Sequence, residues 1–235
     1  MSAMMPRVFV RPIPLLFVST IACAAQRTSA PRREPLAPTS AWCRDSVELR
    51  AIACSEGTAR RSGDTLTIRL TNGKVAMFVE QGGELPGGYR YAGRINARGL
   101  HIVRSEGFET PPTWLFVDPR NGRRVSTSDE PIYSPDGSRF VTAAAPDWNN
   151  CTERDHPSMD VWRFTDGLPV LEWRLDPWSC RTGTGWGPTD PRWRGADTID
   201  FVRNDQLLVG DSVTDRRRAM IAVRESAGWR VVTRQ

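Results

Sequence analysis

The chain has 235 residues, of which 39% are hydrophobic and 25% charged, with a formal net charge of +5. Arg7, Arg11, Arg27, Arg32 and Arg33 precede position 42 with Glu34 as the only acid, so the remainder carries +1. That remainder alternates arginines with acids and has no long apolar run, which excludes both the concentrated basic face that nucleic acid requires and a membrane-spanning helix of about 20 residues.

The first 23 residues have the three parts of a secretory signal. Arg7 and Arg11 form the basic start, Ile13-Pro-Leu-Leu-Phe-Val-Ser-Thr-Ile-Ala22 the short apolar run, and small residues the end. Ser19-Thr20-Ile21-Ala22-Cys23 resembles the lipobox of bacterial lipoproteins, which implies lipid attachment at Cys23 and a location in the periplasm or on the outer membrane. Cleavage after Ala24 or Ala25 would instead release a soluble secreted protein. Residues 24–41 follow as a tether: Gln26–Ser40 carries three prolines and little apolar surface, too little to offset the entropy of ordering it. A single all-β domain is expected over residues 42–235.

Besides Cys23 the chain holds Cys43, Cys54, Cys151 and Cys180. An even number in an exported protein predicts disulfides, and local closure favours Cys43–Cys54 and Cys151–Cys180. No metal or other cofactor is expected. There is no Cys-x-x-Cys, and His101 and His156 are the only histidines, so a closed zinc site would need distant ligands to converge.

Helical periodicity is nearly absent and strand alternation is dense. Val47–Ala53 and a hairpin over residues 64–80 are predicted as a first strand unit. In the hairpin Leu66, Ile68 and Leu70 alternate with polar residues, and Asn72-Gly73 predicts a two-residue type I′ turn. A second unit runs Leu100–Ser105, Thr113–Asp118 and Arg123–Thr127. A third runs Arg139–Ala144, Met159–Thr165 and Pro169–Leu175. The last runs Thr198–Arg203, Ala219–Arg224 and Trp229–Thr233. Trp114-Leu-Phe-Val-Asp118 aligns with Trp162-Arg-Phe-Thr-Asp166, and four meanders in succession predict a small propeller-like array. A twisted β-sandwich of the same strands is the alternative. The run Arg216-Arg217-Arg218, after Asp211 and Asp215, reads as a solvated turn.

Glu130-Pro-Ile-Tyr-Ser-Pro-Asp-Gly-Ser-Arg-Phe-Val141 resembles the Ser-Pro-Asp-Gly strand-turn motif of TolB-like β-propeller repeats. Asp190-Pro-Arg-Trp-Arg-Gly-Ala-Asp-Thr-Ile-Asp-Phe201 has the same outline without the Pro-Asp-Gly core. The resemblance implies a propeller-like fold used for binding, and it carries no catalytic residues across.

The segment 146–192 interrupts the repeat and concentrates the unusual side chains. A Cys151–Cys180 bond would bring Trp148, Trp178 and Trp186 near Asp147, Asp155 and Asp190. Indoles beside carboxylates are a platform for a sugar, a peptide or a cationic group. Their structural alternative is tryptophans packed over strand ends and aspartates capping turns. Catalytic templates fit less well. Gly210-Asp-Ser-Val213 reads as a turn, Asp147-x-Asn149 lacks the later positions of a calcium loop, and Gly183-x-Gly185-x-Gly187 has no following helix to hold a phosphate. Two functions therefore stand as expectations. One is a monomeric, non-enzymatic envelope module that binds another envelope protein or a glycan and meets the membrane through its lipid. The other is an envelope hydrolase using Asp147, Glu153, Asp155, His156 or Asp160.

Overall fold

The computed structural model describes residues 42–44, 46–80, 87–95, 97–107, 110–144, 157–165, 167–179, 185–209 and 212–233. The N-terminal residues through Cys23, together with Asp147, Trp148, Cys151, Glu153, Asp155, His156 and Cys180, lie outside them.

Four antiparallel sheets follow one another along the chain. The first consists of β2 (Ala59–Ser62), β3 (Thr65–Arg69) and β4 (Val75–Val79). The second is ordered β1 (Trp42–Arg44), β5 (Gly88–Ile95), β6 (Leu100–Gly107), β7 (Thr110–Val117) and β8 (Arg124–Ser128). The third comprises β9 (Ile132–Tyr133), β10 (Arg139–Ala143), β11 (Met159–Phe164) and β12 (Pro169–Leu175). The fourth comprises β13 (Gly187–Trp193), β14 (Thr198–Val209), β15 (Ser212–Glu225) and β16 (Gly228–Thr233).

The sheets stack in series because the inner two are apolar on both faces. In β6, Leu100 and Ile102 join the cluster shared with the third sheet, while Val103 faces the first. In β10, Phe140 faces the second sheet and its neighbour Val141 the fourth. Strands buried on both sides lose the alternation of a half-exposed sheet and read as continuous apolar runs. Each successive pair is a small sandwich, and together they form the expected propeller-like array. The array is open: among the described residues no core cluster joins the first sheet to the fourth. The aligned segments of the sequence repeat meet across one interface, where Trp114, Phe116, Trp162 and Phe164 share a cluster.

Val47–Ala53 is not a strand. Glu48–Ala53 forms the helix α1, which buries Ala51 and packs Ile52 against the first core cluster. Six residues are too few for a helix to persist alone, and tertiary bonds hold this one. Glu48 Oε1 accepts from Arg61 Nη2 at 2.7 Å and from the Tyr91 backbone N–H at 2.8 Å. Cys54, at its C-terminal end, is bonded to Cys43 with Cα atoms 5.8 Å apart. This places β1 beside β5, where a Cβ on Gly93 would lie 2.0 Å from the Cys43 carbonyl oxygen. Replacing Cys43 and Cys54 together by alanine is expected to cost about 3 kcal/mol, read by urea unfolding of oxidised wild type against the double variant. Equal midpoints would contradict a stabilising role for the bond.

The hairpin at Asn72-Gly73 exists, but its turn differs from the type I′ form. Leu70 N–H bonds the Lys74 carbonyl, Gly73 N–H bonds the Leu70 carbonyl, and only Gly73 has a positive φ, +79°. That is a three-residue connection closed by a left-handed glycine, with the Asn72 side chain accepting from Lys74 N–H. Arg216-Arg217-Arg218 is no turn either: it lies within β15, paired with Asp205, Asn204 and Arg203 of β14.

Candidate functional site

The strand directions give the array two distinct ends. Strands β4, β6, β10, β12 and β14 finish, and β5, β7, β11, β13 and β15 begin, at one of them. Ala144, Pro157, Ser179 and Gly185 stand at this end.

A cavity of about 420 Å³ opens on the same end, lined by Asp129, Glu130, Ile132, Ala143, Thr189, Asp190 and Pro191. It forms where the end of β8, the start of β9, the end of β10 and the bulged middle of β13 come together. Local chain geometry aims its acids. Asp129 and Asp190 adopt left-handed φ angles of +61° and +52°, which aspartate and asparagine tolerate better than other side-chain-bearing residues. At Asp190 the turn accompanies a register shift between Thr189 and Arg192.

The three carboxylates are not equivalent. Glu130 Oε1 pairs with Arg44 Nη2, whose guanidinium lies 5.5 Å from the Trp114 ring and 5.6 Å from the Tyr133 ring. Asp190 Oδ2 pairs with Arg217 Nη2 of β15. Asp129 accepts the Glu130 backbone N–H at 2.7 Å; burial pushes its carboxyl above the usual carboxylate range, opposed by that hydrogen bond and reinforced by the Glu130 charge. The site thus presents acceptor oxygens, two of them on arginine-neutralised groups, beside the apolar edges of Ile132 and Pro191. Such a lining suits a ligand that brings hydroxyl or ammonium donors.

Of the described residues singled out from sequence, Asp190 alone lines this cavity. Trp186 is partly buried, its ring 6.2 Å from Phe201 and stacked, with the Arg203 guanidinium 4.9 Å away. It packs between strands as a core side chain does. Trp178 is partly buried just beyond β12. Asp160, 2% exposed, accepts from Arg174 Nε at 2.7 Å and Nη2 at 2.6 Å. Both of its oxygens serve this cross-strand pair within the third sheet, as the register Asp160↔Arg174 requires. The Ser-Pro-Asp-Gly motif makes the β9–β10 turn: Ser134 Oγ donates to Asp136 Oδ1 at 2.7 Å, and Gly137 takes φ +65°. Neither Asp129 nor Glu130 was singled out as a site residue from sequence, although Glu130 opens the stretch that carries that motif and Asp129 precedes it.

The opposite end holds two adjoining hollows of about 340 and 470 Å³, between the 118–122 and 165–168 turns. Asp118 is spent there on Arg120, whose hydrogen bonds hold its carboxyl below the usual range against burial. Among the described residues no cluster of His, Cys, Asp and Glu is arranged to hold a metal ion, and no helix is long and apolar enough to cross a membrane. Comparison of the chain with protein-family models, curated proteins and solved structures finds no match.

Proposed function

We propose that this chain is an exported binding or scaffold module of the bacterial cell envelope, anchored through a lipid on Cys23, whose work is contact with a glycan or another envelope protein. The observation that carries the reading is the cavity bounded by Asp129, Glu130 and Asp190. It opens at the end of the array where β8 and β10 finish and β9 begins. Two of its carboxylates are fixed by arginines, so they are oriented acceptors before a ligand arrives, which lowers the ordering cost of binding. A rigid stack of sheets that displays loops at one end is the arrangement in which binding residues concentrate on loops.

The test is retention of envelope components on immobilised wild-type chain against the Asp129→Asn/Asp190→Asn double variant. Asparagine keeps both left-handed backbone positions and removes the acceptor charge. A glycan or protein held by wild type and lost, by about tenfold or more, from a variant with unchanged melting is the expected result. Equal retention would remove the cavity from the binding surface. Intact-mass analysis reads the anchor separately: diacylglycerol on Cys23 supports it, and a chain beginning after Ala24 or Ala25 overturns it without touching the cavity.

A further inference from the structure

We propose that the outer face of the first sheet is a membrane-contact surface that lies against an anionic lipid bilayer. The proposal rests on the envelope location and Cys23 anchor inferred above. Burial of Leu66, Ile68, Ala76 and Phe78 in the first core cluster turns the alternate residues outward. Register then sets Met77 beside Thr67 and Arg60, Val79 beside Thr65 and Ser62, and Val75 beside Arg69. Val75, Met77 and Val79 are 52%, 56% and 51% exposed, so one strand shows three apolar side chains in a row to solvent.

The charge on this face has one sign. Arg60 and Arg69 stand on it and Lys74 adjoins Val75; of the nearest acids, Glu80 follows Val79 but pairs with Arg61, and Asp64 lies in the β2–β3 turn. None of these three cations has an ion pair among the described residues, whereas arginines elsewhere in the array are tied to acids, as Arg61, Arg139, Arg174 and Arg224 are. Apolar side chains flanked by unpaired cations match the boundary between lipid headgroups and acyl chains. There the apolar groups enter the boundary while the cations meet phosphates.

A second copy of the chain fits this face less well. Across a two-fold axis Arg60 and Arg69 would meet their own equivalents. The free edge of β4 is also occupied: Arg124 Nη2 donates to the Met77 carbonyl at 3.2 Å, with its guanidinium 4.0 Å from the Phe78 ring. That blocks edge-to-edge strand addition. Eighteen residues separate Cys23 from Trp42, and a chain of that length can span at most about 60 Å, which does not prevent this face from meeting the bilayer.

Every core residue lies beyond position 50, so a chain starting at Ala24 and lacking lipid keeps the whole described core and isolates this face from the anchor. It is sedimented with phosphatidylcholine vesicles with and without 30% phosphatidylglycerol. Binding to the anionic vesicles that weakens with salt is expected, with a loss of about tenfold for Met77→Glu and a similar loss for Arg60→Glu/Arg69→Glu. Val170→Glu, at an exposed position of β12, should bind as wild type does. Equal sedimentation of wild type and Met77→Glu, each folded by circular dichroism, overturns the proposal. So does a concentration-dependent dimer that Met77→Glu abolishes while vesicles bind neither form. Because no lipid is attached, failure here leaves the Cys23 result standing, and failure at Cys23 leaves this result standing.

Discussion

Phe140→Ala is expected to destabilise the protein by about 3–5 kcal/mol and to lower its melting temperature by on the order of 10 °C. Phe140 is fully buried between the second and third sheets. Its ring lies 4.9 Å from Phe116, 5.3 Å from Phe164, 5.7 Å from Tyr133 and 5.9 Å from Trp162. Truncation would remove the side chain at which the cluster converges. The surrounding rings are held on three different strands and cannot all close over the gap, so both transfer and cavity costs are incurred. Denaturant unfolding of Phe140→Ala beside Val170→Ala provides the measurement, since the exposed valine should change stability by less than about 0.5 kcal/mol. A Phe140→Ala cost below about 1.5 kcal/mol would show that this cluster does not join the two sheets.

Acidification from about pH 6.5 to about pH 4 is expected to remove about 3 kcal/mol of stability through one residue, His101. His101 is 1% exposed and shares a hydrogen bond with the Tyr91 hydroxyl, Oη to Nδ1 2.8 Å. Burial, with a smaller contribution from the Arg94 charge, pushes its pKa down to about 4 from the ordinary 6.5. Burial likewise raises the Tyr91 hydroxyl, with Arg94 opposing it, so the pair is neutral at pH 7. The unfolded chain binds a proton at His101 below about pH 6.5 and the folded chain resists doing so until about pH 4. In that window the unfolded state holds more protons, and stability falls as pH falls. Below the folded pKa this contribution is exhausted. His101→Gln keeps an acceptor near Tyr91 and cannot titrate, so its unfolding free energy should be flatter between pH 6.5 and 4. Parallel pH profiles for the two proteins would refute the assignment.

A second ionic device joins the third sheet to the fourth. Glu172 accepts from Arg139 Nε at 2.7 Å and from Arg224 Nε at 2.9 Å. Burial raises its carboxyl, but the two arginines outweigh that and hold it below the usual range. The pairing joins residues more than thirty positions apart, as does Arg44–Glu130. In this array, arginine–carboxylate pairs secure sheet junctions as well as turns.

The legibility of the fold followed the range of the forces involved. The second, third and fourth units emerged from apolar strand-forming runs and turn residues, because strand propensity and a left-handed glycine are local properties. The Cys43–Cys54 bond was legible for the same reason of short closure. Five strands were missed, the two-residue β9 among them. Gly187-Pro-Thr-Asp-Pro-Arg-Trp193 reads as loop, yet it forms β13 at the edge of its sheet, where prolines and a bulge are tolerated. Gly88–Ile95, with three glycine or alanine positions, becomes β5 because β1 and β6 pair with it on both sides. The short strands β1 and β2 are likewise held by their partners.

By itself, the amino-acid sequence determined the all-β class, most strand and turn positions and the local disulfide, all set by side-chain parity and backbone conformation over a few residues. Only the tertiary structure decided that α1 is a helix, that Asp160 is spent on Arg174, and that Trp186 packs as core. It alone brought Asp129 and Glu130 to one cavity with Asp190, some sixty positions away. Those outcomes depend on which sheet faces which, and no short stretch of chain carries that information.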